Sequence, residues 1–489
     1  MSSNSPKKNL IRGAAWTVGA RMCIKVLGFV NTIVMARLLM PEDYGLVAMA
    51  MLVVGLVQTM LDFGAVGALE RKEKLTTDDI DSAWTLKIMQ STGTALLIAL
   101  SPIIAAPLFE DPRVTHILWV LAGCTLASSL TSLSPVISTK SFDYALSFKI
   151  NICSKLGSVV MTIIFGLWLK DYRALVIGIM TGYLTPIGLS YKWHPLRHRI
   201  NFSKIGEIWA FTKWLMVANV GGYVLRKGDE MAAARIGTTA EYGNYNVGAD
   251  LGSLPVAEVG PAVLQALLPV LATIQSDIKR TNLAISKTMS ALGTLIWPLG
   301  FGTLVTAPQV THILLGEKWH GAAIFVGLYG IITVLQTLST PLKTLLTLRG
   351  HTRIQSHLVW LEFGAFATLA LWMTPIHGLI ALGWARLIAS TLNFAMVLVA
   401  TARYCQLSIP KMALHLLRPF TGAALMAALL TQLPTWTANM PLSLATTVLI
   451  GALFFGAWSI VTWQMAGRPE GLESTLVERL FPHIKKIGI

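Results

Sequence analysis

Two stretches decide how this chain is organised: Ala36-Arg37-Leu38-Leu39-Met40-Pro41-Glu42-Asp43-Tyr44-Gly45 and Ala234-Arg235-Ile236-Gly237-Thr238-Thr239-Ala240-Glu241-Tyr242-Gly243. Both read Ala-Arg, six residues, then Tyr-Gly, and the second begins 198 residues after the first. Each stands where one long apolar run ends and the next begins. Six apolar runs of bilayer length separate equivalent points in the two copies. Six is even, so both copies enter a membrane in the same sense. That predicts a parallel repeat, related by an axis along the membrane normal.

Working outward, the rest of the chain agrees. Of its 489 residues 54% are hydrophobic and only 13% charged, against about 25% charged in soluble domains. A span needs about 20 mostly apolar residues. About fourteen such runs are present, and the expected fold is an all-α polytopic membrane protein. Six begin near Ala14, Tyr44, Ala83, Val114, Ile150 and Ala174, and six near Ile208, Tyr245, Ala284, Ala322, Ile354 and Gly378. Two more begin near Ala413 and Leu442. The expected division is an N-terminal six-helix lobe over 1–203, a second six-helix lobe over 204–407, and a helix pair with a tail over 408–489. The first run is too long for a signal-peptide core and serves as the first span. No hydrophilic segment reaches the roughly 50 residues of a domain. Any function must therefore come from the helices and their short connections.

Basic residues give the orientation. With the N-terminus inside, 25 of the 39 Lys and Arg residues fall on inner segments and six on outer ones. Both termini are therefore expected in the cytoplasm. The same distribution explains the net charge of +15 through topology and contact with anionic membrane lipids, and nucleic acid is not an expected partner.

Ionisable groups inside hydrocarbon cost at least about 2.5–3.5 kcal/mol each, so they normally face a wet cavity or a partner. On the first helix, Arg21, Lys25, Gly28 and Thr32 share one face, with Asn31 beside it. On the seventh, Asn219, Tyr223, Arg226 and Glu230 share a face, with Lys227 and Asp229 alongside. Arg226 and Glu230 stand four apart, which suits an ion pair. Arg21, Lys25, Asn31, Asn219, Tyr223, Arg226 and Lys227 are the candidate substrate-binding residues. Asp62, Asp229, Glu230, Asp250 and Glu258 are the candidates for ion coupling or gating. Bland readings stand beside these. Arg21 could snorkel to the inner surface, Asp62 could pair with Arg71 or Lys72, and the seventh-helix charges sum to zero. Glu362, Lys87, Lys213 and Arg386 read as single charges in structural pairs or snorkelling. Pro255 and Pro261 free backbone carbonyls on the eighth helix and permit a bend there. A cationic face suits an anionic substrate, because Arg offers a fork of donors to phosphate and Lys a mobile point charge.

Enzymatic signatures are missing. The sequence has no phosphate-binding glycine loop followed by Lys, no His-Glu-x-x-His and no nucleophile near an obvious base. The four cysteines, Cys23, Cys124, Cys153 and Cys405, lie far apart without metal spacing. His194 and His198 have Pro195 between them and read as a solvated or lipid-facing loop.

The chain resembles the polysaccharide transporter family of the multidrug/oligosaccharidyl-lipid/polysaccharide exporter superfamily, of the Wzx or colanic-acid-exporter type. The resemblance rests on Ala36 to Leu46, on Asp62-Phe63-Gly64 and on Glu70-Arg71-Lys72-Glu73. It continues with Leu268-Pro269-Val270-Leu271-Ala272, Ile274-Gln275 and Gly316-Glu317-Lys318-Trp319. It covers roughly Leu10 to Arg403. It implies two six-helix lobes around a cavity open alternately to each side of the bacterial inner membrane. The implied substrate is an undecaprenyl-diphosphate-linked repeat unit for exopolysaccharide, capsule or O-antigen. Implied partners are that lipid-linked oligosaccharide, membrane lipids, and a polysaccharide polymerase with other assembly proteins. No organic cofactor is implied. Coupling to a gradient of H+ or Na+, or to membrane potential, is. Three alternatives stay open: a drug or cation exporter of the same fold, a membrane enzyme of polysaccharide assembly, and a non-transporting scaffold. An exporter of cations would want an acidic cavity, and an enzyme a large outer loop, neither of which the sequence offers.

Overall fold

The computed structural model describes residues 6–62, 69, 75–140, 144–263, 267, 277–433 and 439–465. Among these, every regular element is helical. In chain order they are α1 (Pro6–Leu38), α2 (Pro41–Met60), α3 (Thr77–Leu100), α4 (Pro102–Phe109), α5 (Arg113–Ser128), α6 (Ser134–Lys140), α7 (Ala145–Leu169) and α8 (Arg173–Lys192). They continue as α9 (Ile205–Ile236), α10 (Thr239–Ala257), α11 (Ile278–Leu314), a 3-10 turn (Glu317–Ala322), α12 (Ala323–Leu348), α13 (Thr352–His377), α14 (Ile380–Cys405), α15 (Ile409–Gln432) and α16 (Met440–Met465). Nine helices among the described residues are long and apolar enough to cross a membrane. The protein is a multi-pass membrane protein. Backbone polar groups in lipid must be satisfied within the segment, which is why these spanning elements are helices.

Capping chemistry sets the helix boundaries. Pro41 opens α2 with Glu42 and Asp43 in its first turn, and the Met40 N–H donates to Asp43 Oδ2 at 2.9 Å. Thr76 and Asp79 close a reciprocal capping box at the start of α3. Asp277 caps α11 through the Arg280 N–H. Lys170 and Gln406 take the left-handed conformation that stops α7 and α14. Between Pro255 and Pro261 the helix is interrupted at Glu258. Pro261 cannot donate to the carbonyl four residues back, so the expected bend falls there.

Contacts divide the chain into two compact units, 1–243 and 244–489. The division falls inside α10. It follows packing, whereas the boundaries expected at 203/204 and 407/408 follow the repeat. In the first unit α1 packs on α7, α7 on α8, α8 on α5, and α2 on α5 and α9. In the second, α11 is central and packs on α12, α15 and α16, while α14 packs on α12 and α13. Its core joins Met289, Ile296 and Trp297 to Leu338, Leu342, Val397, Met412 and Met426. Glycines let these helices approach: Gly252 lies directly on the Val326 backbone, and Gly248 on that of Ala322.

The two repeat copies meet within the first unit, at the end of the helices where α1 stops. A Cβ on Gly45 would lie 2.8 Å from the Thr239 carbonyl carbon, closer still to its oxygen, and 3.1 Å from the Gly243 nitrogen. A Cβ on Gly243 would meet the Pro41 carbonyl and the Gly45 nitrogen at matching distances. Each glycine sits on the carbonyl four residues before the other, a reciprocal contact only Cβ-less residues permit. Around it lies a polar ring. Arg113 pairs with Glu42 and with Asp111 Oδ2 at 2.8 Å. Burial raises the Asp111 carboxyl, but hydrogen bonds from the Arg113 side chain and backbone outweigh this and hold it below the usual range. The Tyr172 N–H donates to Asp43 Oδ1 at 3.0 Å, and Arg235 approaches Glu110 at 3.5 Å. Tyr44 ties α2 back to α1 through the Thr32 carbonyl, at 3.2 Å.

At the opposite end, the connection between α8 and α9 is docked rather than solvated, which corrects the expectation for His198. The N–H groups of Arg199, Asn201 and Lys204 donate to Asp81, Thr85 and Ser82 on one face of α3. The His198 side chain is wholly buried and stacks on Trp84 with centroids 5.2 Å apart. Its Nε2 accepts from the Leu133 N–H at 3.1 Å. That places the ring proton on Nδ1, which lies 3.8 Å from Asp81 Oδ1, beyond hydrogen-bond range. Burial lowers the His198 pKa, with Asp81 opposing and Lys87 adding to the effect. The undocked ring takes up a proton near pH ~6.5, whereas the docked ring resists it. Docking is therefore complete above about pH 6.5 and weakens as pH falls below it. Amide protection factors across 193–204, taken relative to the intrinsic exchange rate at each pH, are expected to be lower at pH 5.5 than at pH 7.5, and His198→Phe should flatten that dependence. Equal protection factors at both pH values in the unmodified protein would contradict the assignment.

Candidate functional site

The α1 face forms as the sequence spacing requires. Arg21 and Lys25 are exposed, while Asn31 and Thr32 are half-buried. Thr32 returns its hydroxyl proton to the Gly28 carbonyl at 3.1 Å, which removes it from ligand binding. Asn31 keeps its amide oxygen buried without a hydrogen-bond partner.

A residue the sequence reading passed over completes this face. Lys155 of α7 lies with its Cε and Nζ each 3.6 Å from where a Cβ on Gly28 would stand. Gly28 is therefore a seat for the lysine stem. The signal was present as a lysine inside an apolar run, but nothing in the sequence paired α7 with α1. Close packing of Gly166 on Met35 fixes that pairing one helix end away.

The α9 residues are arranged otherwise. The Tyr223 hydroxyl donates to the Leu52 carbonyl at 2.9 Å and its ring covers Gly55, so it joins α9 to α2. Glu230 pairs with Lys227, three residues back. The expected pair with Arg226 is not made, because the exposed Arg226 guanidinium folds back over Gly222. Asp229 is buried at 5% exposure, and Asn219 is half-buried. On the neighbouring helix pair, Gln58 donates to the Tyr183 hydroxyl at 3.1 Å. Asp62 follows the end of α2 and is exposed, while its suggested partners Arg71 and Lys72 lie outside the described residues, as do Phe63-Gly64, Glu70–Glu73 and residues 268–275. Asp250 is exposed on α10, and Glu258 is half-buried at the interruption that follows it. The structure thus sets Lys155 of α7 against the α1 face that carries Arg21 and Lys25, and ties α9 to α2 through Tyr223. No three His, Cys, Asp or Glu side chains among the described residues converge to hold a metal.

The single charges resolve differently. Lys87 donates to the Thr131 carbonyl at 2.8 Å. Arg386 approaches Glu362 at 3.8 Å in the second unit, the structural pairing expected for both. Lys213 lies on a part of α9 whose side chains are not described.

Residues 34–324, more than half the chain, match the family described as "Polysaccharide biosynthesis protein". The chain belongs to that family. Its Wzx-type character follows from its relatives. The lipopolysaccharide biosynthesis protein WzxC of Escherichia coli K12 is 20% identical over 74% of each chain. The succinoglycan biosynthesis transport protein ExoT of Rhizobium meliloti 1021 is 22% identical over 69% of each. The fold is that of the lipid II flippase MurJ in an inward closed conformation. The TM-score is 0.73 at 13% identity, covering 94% of this chain and all of that one. The family match includes both repeat copies and Lys155, but it starts beyond Arg21, Lys25 and Asn31.

Proposed function

We propose that this protein is a flippase, not an enzyme, that carries a lipid-linked, diphosphate-bearing oligosaccharide across the bacterial inner membrane by alternating access. In this reading the chain crosses the bilayer fourteen times with both termini in the cytoplasm, and a polymerase with other assembly proteins takes up the delivered unit. The observation that carries the proposal is the α1–α7 face. Arg21 and Lys155 stand well inside their helices, and neither makes an ion pair among the described residues. Uncompensated cations there are costly unless a wet cavity or an anion faces them. Drug and cation export would want the opposite sign. The names of the relatives support polysaccharide biosynthesis and transport, and the fold supports movement of a lipid-linked head group. H+ or Na+ coupling through Asp62, Asp229, Glu230, Asp250 or Glu258 belongs to the same proposal.

The test is a deletion strain scored for surface polymer and for the sidedness of its lipid-linked repeat units. Loss of polymer with intact units held on the cytoplasmic side is expected, and Arg21→Ala with Lys25→Ala should reproduce it. Units already on the outer side would place the protein after translocation and overturn the proposal.

A further inference from the structure

We infer that the connection from α8 to α9 is a rigid anchor for anionic phospholipid, which lays two apolar side chains into the boundary between head groups and acyl chains and offers cations to the lipid phosphates. The inference is independent of what the protein transports.

The backbone of this connection is already committed. Besides the bonds from Arg199, Asn201 and Lys204 to α3, the Ser203 N–H donates to the Asn201 side-chain oxygen at 2.9 Å and the Leu196 N–H to His194 Nδ1 at 3.2 Å. These N–H groups are spent, so the segment offers a partner its side chains rather than a strand edge. Because α3 already holds the backbone, binding orders little further chain.

The side chains on offer are of two kinds. Ile200 and Phe202 are 69% and 63% exposed. Asn201 between them turns inward, and its side-chain amide donates to Asp78 at 2.9 Å. Lys192, Arg199 and Lys204 are exposed on the same short stretch. Residues 192–204 contain no Asp or Glu. The two carboxylates of α3 that the segment touches, Asp78 and Asp81, are taken up by its amide donors. Apolar and cationic groups thus face outward together.

Depth says what covers them. The apolar span that contains α3 runs from Thr77 to Ala105, about 43 Å at 1.5 Å per residue. A bilayer with its head groups is about 40–45 Å thick. The Asn201 N–H donates to Thr85 Oγ1 at 2.9 Å, and Thr85 lies about 12 Å along that span. Asn201 therefore sits where head groups meet acyl chains, and Ile200 and Phe202 beside it are at the depth where interfacial anchors bury their apolar groups. A water-soluble protein does not reach an apolar pair there. Exposed Trp193 and the Tyr191 ring, over which Arg197 lies at 5.3 Å, are the amphipathic rings that this layer favours. Each Lys or Arg beside an anionic surface gains several-fold in affinity.

The experiment puts a donor fluorophore on Ser203→Cys in the full chain, with the exposed Cys23 and Cys153 replaced by alanine; Cys124 and Cys405 are buried. The protein is held in nanodiscs of equal parts phosphatidylcholine and phosphatidylglycerol, with a trace of one or the other lipid carrying an acceptor on its acyl chain. Energy transfer to phosphatidylglycerol is expected to exceed that to phosphatidylcholine at least twofold, and Lys192→Gln/Arg199→Gln/Lys204→Gln should equalise the two. Arg197 is kept because its guanidinium donates to the His194 and Leu196 carbonyls and shapes the segment. Glutamine keeps the docking N–H groups, and unchanged amide protection across 199–204 checks that the segment stays docked. Should protection fall, Arg199→Gln and Lys204→Gln are read singly, each with a reduced preference expected. A nitroxide on Ile200→Cys should collide more with oxygen than with a water-soluble nickel chelate. Equal transfer to both lipids in the chain with its cations intact, or a preference that survives their loss, overturns the inference. So does a nitroxide that favours the nickel chelate, which would make this a water-facing surface open to a soluble protein.

Discussion

Gly45→Val is expected to abolish polymer export and to reduce sharply the amount of folded protein in the membrane. A Cβ at Gly45 meets the Thr239 carbonyl and the Gly243 backbone, which are main-chain atoms and cannot rotate aside. Overpacking a core costs about 1–3 kcal/mol when side chains can adjust, and a backbone-on-backbone clash should exceed that range. The ring of Glu42, Asp111 and Arg113 would open with it, since α2, α5 and α10 must separate. The reciprocal geometry gives a sharper test. Gly45→Ala and Gly243→Ala each force apart the same pair of backbones, so the second methyl meets a gap the first has made. The double variant should cost less than the sum of the single ones, with an interaction energy of about 0.5–3 kcal/mol. Melting temperatures in detergent measure this directly. Strictly additive losses would mean that the two glycines do not face each other.

That contact also explains how far the sequence could be read. The Ala-Arg and Tyr-Gly pattern is visible because both copies meet one steric demand, and the demand survives as a glycine at the same place in each. The all-helical class and the interruption near Glu258 were legible for a related reason. They depend on local periodicity and proline chemistry, which lie within about 20 consecutive residues. The partners of those faces were not legible. Tyr223 and Arg226 share a face with Glu230, yet Tyr223 is engaged by the Leu52 carbonyl and Arg226 turns to Gly222. Lys155 did not stand out in the sequence, because nothing local pairs α7 with α1. His198 was misread because polarity and Pro195 suggested a solvated loop, whereas the polar strip Asp78, Asp81, Ser82 and Thr85 on α3 provides that loop with a buried dock. Such facts depend on which helices are neighbours, and no local pattern encodes that.

The second large effect is expected at Glu362 and Arg386, which join α13 to α14 in the second unit. Their side chains are 12% and 11% exposed, and the guanidinium also lies 5.9 Å from the centre of the Phe366 ring. Removing one partner of a buried pair strands the other charge, at about 3–5 kcal/mol. Arg386→Leu should therefore leave little folded protein. Replacing both residues with leucine removes the stranded charge and should restore stability, because apolar packing often matches a buried pair. Lys343 on α12 lies within electrostatic range of both and gives the carboxylate a second, weaker counter-charge. Arg386→Leu combined with Lys343→Met should then be less stable than Arg386→Leu alone. If Arg386→Leu melts as the unmodified protein does, the pair is not buried as described. Recovery of both melting temperature and export in the double leucine variant would mark the pair as a structural tie. Recovery of the melting temperature without export would mean that these charges serve transport itself, and that the search for the ion-coupling group should move from α9 and α10 to α13 and α14.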